Sequence, residues 1–151
     1  VIRAHVLAMY VPSLFSGFLI ERVGVARLMF VGTCVLLLTS LIGLQGHALM
    51  HYWWALVLLG VGWNFLFVGG TTMLTYTYTP AERFRAQAFN EFLVFGTAAA
   101  SSLLAGTVMF YFGWTTLMWL PVPVLAGCAA ALVLVRRDPA LQRKSGLSQK
   151  L

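Results

Sequence analysis

Charge is what this 151-residue chain has least of: 9% of its residues are Asp, Glu, Lys or Arg, against about 25% in soluble domains. With 60% of the residues hydrophobic, no water-soluble core of this size hides the apolar surface, so the surrounding solvent is lipid. Glu21, Glu82, Glu91 and Asp138 are the only acids. They form no catalytic pair. No Ser-His-Asp order, phosphate-cradling glycine loop or metal cluster accompanies them, so the chain is not expected to be an enzyme. Cysteine is scarce too: Cys34 and Cys128 each sit inside an apolar run and read as small buried apolar residues, not as a disulfide or a metal pair. His47 and His51 have helical ligand spacing, but no carboxylate or thiol lies near them in sequence to complete a zinc site. No metal and no cofactor is expected. The chain opens on Val1 without a signal-peptide pattern, and reads as part of a longer protein whose front is missing.

Long apolar runs are what the chain does have. They divide it into five expected membrane-spanning helices at about 4–20, 28–44, 54–77, 80–112 and 115–135, a bundle filling residues 1–135, with a basic tail at 136–151. The fold class is an all-α polytopic membrane helix bundle. Pro12 sits near the middle of the first span and is expected to kink it. The second span has no strong polar face and suits contact with lipid. A loop over 45–51 leads to Tyr52, Trp53 and Trp54, an aromatic belt at the membrane interface. In the third span Gly60, Asn64, Val68, Thr71 and Thr75 recur at spacings of three and four, which makes one small and polar stripe. An amide at the depth of Asn64 must point at protein or water. Two roles follow for Asn64, Thr71 and Thr75: lining a substrate cavity, or hydrogen bonding between helices.

Thr79-Pro80-Ala81-Glu82 has the order of a capping box and starts the fourth helix. Glu91 is the one acid well inside that helix, where it is either a coupling residue or an interfacial partner for Arg or Gln87. Ala98, Ser102 and Gly106 form a ridge suited to close helix packing. Pro121 and Pro123 bend the fifth span.

The basic residues are not spread evenly. With five alternating crossings, Arg22, Arg27, Arg83, Arg85, Arg136, Arg137, Arg143, Lys144 and Lys150 fall on one side and only Arg3 on the other. That asymmetry makes the richer side cytoplasmic, puts the C-terminus there, and places the protein in the inner (plasma) membrane as a multi-pass protein. It also accounts for the net charge of +6 without nucleic acid as a partner.

Between the first two spans lies Gly17-Phe18-Leu19-Ile20-Glu21-Arg22-Val23-Gly24-Val25-Ala26-Arg27, where charge interrupts the apolar runs. It reads as a tight surface loop joining antiparallel helices, with Gly24 allowing the reversal. Gly17, Leu19, Arg22 and Gly24 resemble the signature loop of major facilitator superfamily (MFS) transporters. In that family the signature lies between the second and third helices and recurs more weakly between the eighth and ninth. Glu21 stands where Asp is usual, and Val25-Ala26 where basic residues are usual, which suits the weaker copy. The resemblance implies that the five spans are helices eight to twelve, part of a C-terminal six-helix domain. It further implies alternating access around a central site, with Gly17, Glu21, Arg22, Gly24 and Arg27 as a gating loop. The implied partners are a small-molecule substrate, a coupling proton or ion, the lipid bilayer and the missing N-terminal half. The rival expectation from the residues is a multi-span scaffold with no transport role.

Overall fold

With no water in hydrocarbon to bond its backbone, a chain this apolar satisfies its amides and carbonyls within helices. The computed structural model describes residues 2–45 and 49–137, with side chains through 135, and among these there is no strand. Six helices form: α1 Ile2–Tyr10, α2 Ser13–Val23, α3 Val25–Gln45, α4 Leu49–Thr75, α5 Arg83–Trp119 and α6 Pro121–Arg137. A 3₁₀ turn, Pro80–Glu82, leads into α5.

The expected first span is a broken helix. Pro12 offers no amide, and α1 and α2 meet there at a bend of 43°. The loop expected over 21–27 shrinks to a single residue. α2 runs on through Val23 and α3 starts at Val25, so Gly24 alone makes the break, at φ 88° and ψ 149°. α4 starts earlier than expected, taking His51 and the aromatic belt of Tyr52, Trp53 and Trp54 into its first turns. His47 lies outside the described residues, as does the tail from 138 onward.

Among the described residues three helical stretches are long and apolar enough to cross a membrane, Val25–Gln45, Leu49–Thr75 and Pro80–Val135, or four if bent α1 and α2 count as one. This differs from the expected five because helical bonding runs nearly unbroken through the 56 residues of Pro80–Val135. Straight, that stretch would be about 84 Å long, nearly three times the hydrocarbon thickness. It is not straight: Gly113, at φ 78° and ψ 176°, breaks α5. Beyond the break, Trp114 Nε1 donates to the Gly43 carbonyl near the end of α3 at 2.7 Å, and its ring meets Tyr52 edge-on at 5.2 Å.

Contact registers give the directions. His5 pairs with Leu56, Ala8 and Met9 approach Gly60, and Met9 and Ser13 meet Asn64, so α1 runs parallel to α4. Met29 abuts Gly69, Gly32 abuts Phe65 and Leu36 abuts Gly62, so α3 is antiparallel to α4. Phe95 lies beside Phe67 and Trp114 beside Tyr52, so α5 is antiparallel to α4 as well. The breaks at Gly24 and Thr79 therefore share one end of the bundle, and Gly43, Tyr52 and Trp114 share the other.

The interior is built from small residues, the reverse of a soluble core. Beyond Val25 and Leu28 in its first turn, α3 buries only Gly32, Thr33, Thr39, Ser40 and Gly43, and it turns Val31, Leu38 and Leu41 outward. Thr33, Thr39 and Ser40 return their hydroxyls to carbonyls one turn back in their own helix, so none is an unpaired polar group. Two expectations fail by the same logic. Cys34 and Cys128 are free thiols but exposed, where a small apolar thiol meets lipid without penalty. Of the Ala98–Ser102–Gly106 ridge only Ala98 is half-buried: Ser102 and Gly106 are exposed, and space around Gly106 is open.

Two predictions follow from this packing. A Cβ on Gly62 would stand 2.7 Å from Leu36 Cδ2 and 3.1 Å from the Gly32 carbonyl, whereas one on Gly96 meets nothing within 4 Å. Gly62→Leu is expected to destabilise the purified protein by about 1–3 kcal/mol in SDS-titration unfolding, and Gly96→Leu by much less. At Gly24 the space is open but the backbone is one that essentially only glycine adopts. Gly24→Ala and Gly24→Asn are both expected to lose about 1–3 kcal/mol, because the ψ of 149° lies outside the left-handed region that Asn tolerates.

Candidate functional site

The candidate residues fall in three places. Gly17, Glu21 and Arg22 ride on α2, Gly24 is the break, and Arg27 opens α3. Glu21, Arg22 and Arg27 are all exposed at the shared end of the bundle. The Arg22 guanidinium carbon sits 4.3 Å from the centre of the Phe18 ring one turn back, a cation–π contact within α2. Among the described residues Glu21 has no ion-pair partner, so its charge is available to a group outside them.

At that same end, Glu82 accepts hydrogen bonds from the Thr79 amide at 3.2 Å and the Thr79 hydroxyl at 2.8 Å, the capping box expected from sequence. Arg83 and Arg85 stand exposed just beyond it. Four arginines, Arg22, Arg27, Arg83 and Arg85, thus gather on one end.

Asn64 is buried, at 3% exposure, and faces α1 and α2. Its Nδ2 donates to the Met9 carbonyl at 2.7 Å and to Ser13 Oγ at 2.6 Å. The break at Pro12 frees the Met9 carbonyl, because the backbone bonds around it go to Val11 and Pro12 instead. An amide from the neighbouring helix fills the vacancy. Asn64 Oδ1 is buried without a hydrogen-bond partner.

Thr71 and Thr75 lie on the same helix but do not join Asn64 in one site. Thr75 is exposed, with its hydroxyl bonded to the Thr72 carbonyl. Thr71 bonds the Phe67 carbonyl and lines a cavity of about 230 Å³ between α3, α4 and α5, with Leu36, Trp63, Phe67, Asn90 and Val94 among its other walls. A second hollow shares Trp63 and Val94 with it and extends past Thr97, Ala98 and Ser101. Trp63 stacks on Phe67 at 6.3 Å with the planes 13° apart. The surface offered is mostly apolar and aromatic, with an amide and a few hydroxyls, the mixture expected of a small-molecule site.

Glu91 is half-buried on α5, next to the cavity-lining Asn90. The expected pairing with Gln87 is absent: Gln87 Nε2 donates to the Tyr78 hydroxyl at 2.7 Å. Trp63 and Asn90 were not expected as site residues. Trp63 stands mid-helix, far from the interfacial aromatics, and that position is the signal that marks it. Among the described residues no group of His, Cys, Asp and Glu is placed to hold a metal ion.

The model of the Major Facilitator Superfamily matches residues 2–150. The riboflavin transporter RfnT of Brucella anthropi is 44% identical over 133 residues, covering 88% of this chain and 33% of the relative. The MFS-type transporter YddS of Bacillus subtilis is 31% identical over 137 residues, 89% of this chain and 30% of its own length. A second B. subtilis MFS-type transporter, YdeG, is 33% identical over 111 residues, 72% of this chain and 26% of the relative. No solved structure matches. The chain spans about a third of the length of the curated relatives it matches. A signature-like turn, an all-helical membrane architecture and a match along nearly its whole length agree: the chain belongs to the Major Facilitator Superfamily.

Proposed function

We propose that this chain is the helix-eight-to-twelve part of a secondary transporter that moves a small planar heteroaromatic molecule of the riboflavin kind by alternating access. The observation that carries the substrate class is the 44% identity to a riboflavin transporter along 88% of the chain. The cavity agrees in chemistry. Trp63 and Phe67 line it with aromatic rings, and Asn90 offers both a donor and an acceptor.

In this reading the stretch 80–135 crosses the membrane twice, turning at Gly113, which makes five crossings in all. The end with Gly24 and Thr79 faces the cytoplasm, in keeping with its four arginines, and the C-terminal tail lies on that side in the inner (plasma) membrane. Glu21, exposed and unpaired among the described residues, is the charge that meets the missing half when the cytoplasmic end closes. Its natural counterpart is a helix N-terminus or a base, at about 0.3–1 kcal/mol for the former. Arg22, held against Phe18, stiffens the end of α2. Glu91 is the candidate for proton coupling, since it is the one acid placed within a helix beside the cavity.

The direct test is uptake of labelled riboflavin by cells that cannot synthesise it and that express the complete reading frame. Uptake and growth at low external riboflavin are expected, and no uptake at verified membrane levels would overturn the substrate class. Glu91→Gln keeps the shape and removes the charge. It is expected to abolish accumulation driven by a proton gradient while sparing downhill exchange, and unchanged accumulation would remove Glu91 from the coupling role. Glu21→Ala is expected to slow uptake without lowering the amount of protein in the membrane, as read by uptake rate against immunoblot.

A further inference from the structure

The bend at Pro12 is held from outside its own helix. Asn64 reaches both sides of the break: the Met9 carbonyl belongs to α1, and Ser13 Oγ belongs to α2. One side chain therefore fixes the angle between two helices that Pro12 has uncoupled.

The two arms are not held alike. α1 is pinned to α4 by further contacts. His5 Nδ1 donates to the Leu56 carbonyl at 2.6 Å. At Gly60 the backbones come so close that a Cβ would lie 2.7 Å from the His5 carbonyl and 2.9 Å from Ala8 Cβ. Neither arm is deeply buried, but α2 has no such close approach to an α4 glycine among the described residues: Ser13 is bonded to Asn64, and Leu14, Phe15 and Phe18 are exposed. At its far end α2 carries Glu21 and Arg22, followed by the one-residue break at Gly24.

We propose that Asn64 is a positioning residue that sets the angle of the hinge at Pro12, and that α2 swings about this hinge while α1 and α4 move as one body. Of the two bonds, Asn64–Met9 lies on the fixed side and persists, whereas Asn64–Ser13 crosses the hinge and breaks when α2 moves. The 11 residues of α2 are about 16 Å long, so a change of about 20° in the bend carries its end through about 6 Å. That displacement is delivered to the Gly24 end. The inference rests on the transport reading for its purpose, but its test does not depend on transport.

The experiment is distance measurement between spin labels in the complete transporter in lipid nanodiscs, on a background without native cysteines. One pair, Val23→Cys with Tyr76→Cys, spans the far ends of α2 and α4. A reference pair, Ile2→Cys with Leu49→Cys, spans the starts of α1 and α4. All four sites are exposed. In both Asn64→Ala and Ser13→Ala the first distribution is expected to broaden or shift by about 6 Å, the end displacement of a swinging α2, while the reference pair stays unchanged. Pro12→Ala, which restores an amide and a continuous helix, is expected to leave one narrow distribution at a new mean. Distributions equal to wild type in both Asn64→Ala and Ser13→Ala would overturn the proposal, as would equal broadening in both pairs. Should Asn64→Ala fail to fold, Ser13→Ala alone decides, since Ser13 is exposed and its loss leaves the Met9 bond in place. In uptake assays the same variants are expected to change the maximal rate with KM unchanged, since neither Asn64 nor Ser13 lines the cavity. A wild-type protein that moves no substrate while its hinge responds as described would overturn the transport reading and leave the hinge standing.

Discussion

Everything in this bundle depends on how closely α4 can be approached. Gly60 admits α1, Gly62 and Gly69 admit α3, and Asn64 sits among them with its amide turned toward the broken helix. In lipid, apolar side chains gain nothing by leaving one neighbour for another, so close backbone contact and a few polar bonds do the work that a hydrophobic core does in water. α4 bears these features on two faces, and that is why α1 and α3 flank it with defined register and direction. α5 shows the contrast: Trp114 and Met118 near its end close on Gly43 of α3, but at Gly96 and Gly106 its own surface stands open.

The same constraint ties fold to function. Pro12 breaks a helix where hydrocarbon allows no water to repair it, so a polar group must arrive from next door, and Asn64 is that group. A residue that looked from sequence like either a cavity lining or glue between helices is bonded as the latter. The cavity lies on another side of α4, with Trp63 and Thr71 in its wall. The exposed charges of α2 and α3, the bend at Pro12 and the cavity are thus carried by different faces of neighbouring helices.

Much of this was legible in the sequence, for physical reasons. Apolar run length located α3 and α4 to within about five residues at either end, because bilayer thickness fixes the length of a crossing, but it did not foresee one helical stretch over 80–135. Pro12 gave the break, and Thr79 with Glu82 gave the capping box, because both are local chemistry. What could not be read was anything that depends on two distant segments. The pairing of Asn64 with Met9 and Ser13 joins residues more than fifty positions apart, and the Trp114 bond to Gly43 joins residues 71 apart. The loop at Glu21–Arg27 was overestimated because composition shows where charge interrupts an apolar run, but not that a single glycine at positive φ can turn the chain.

The central claim is that the breaks at Gly24 and Thr79 lie together at one membrane face, with the start of α4 at the other. The most direct measurement is labelling of single cysteines at Arg27, Arg85 and Leu49 by a membrane-impermeant thiol reagent in intact cells and in inverted vesicles. The account predicts that Arg27→Cys and Arg85→Cys react only in inverted vesicles and Leu49→Cys only in intact cells. Reaction of Arg27→Cys and Arg85→Cys from opposite faces would contradict it.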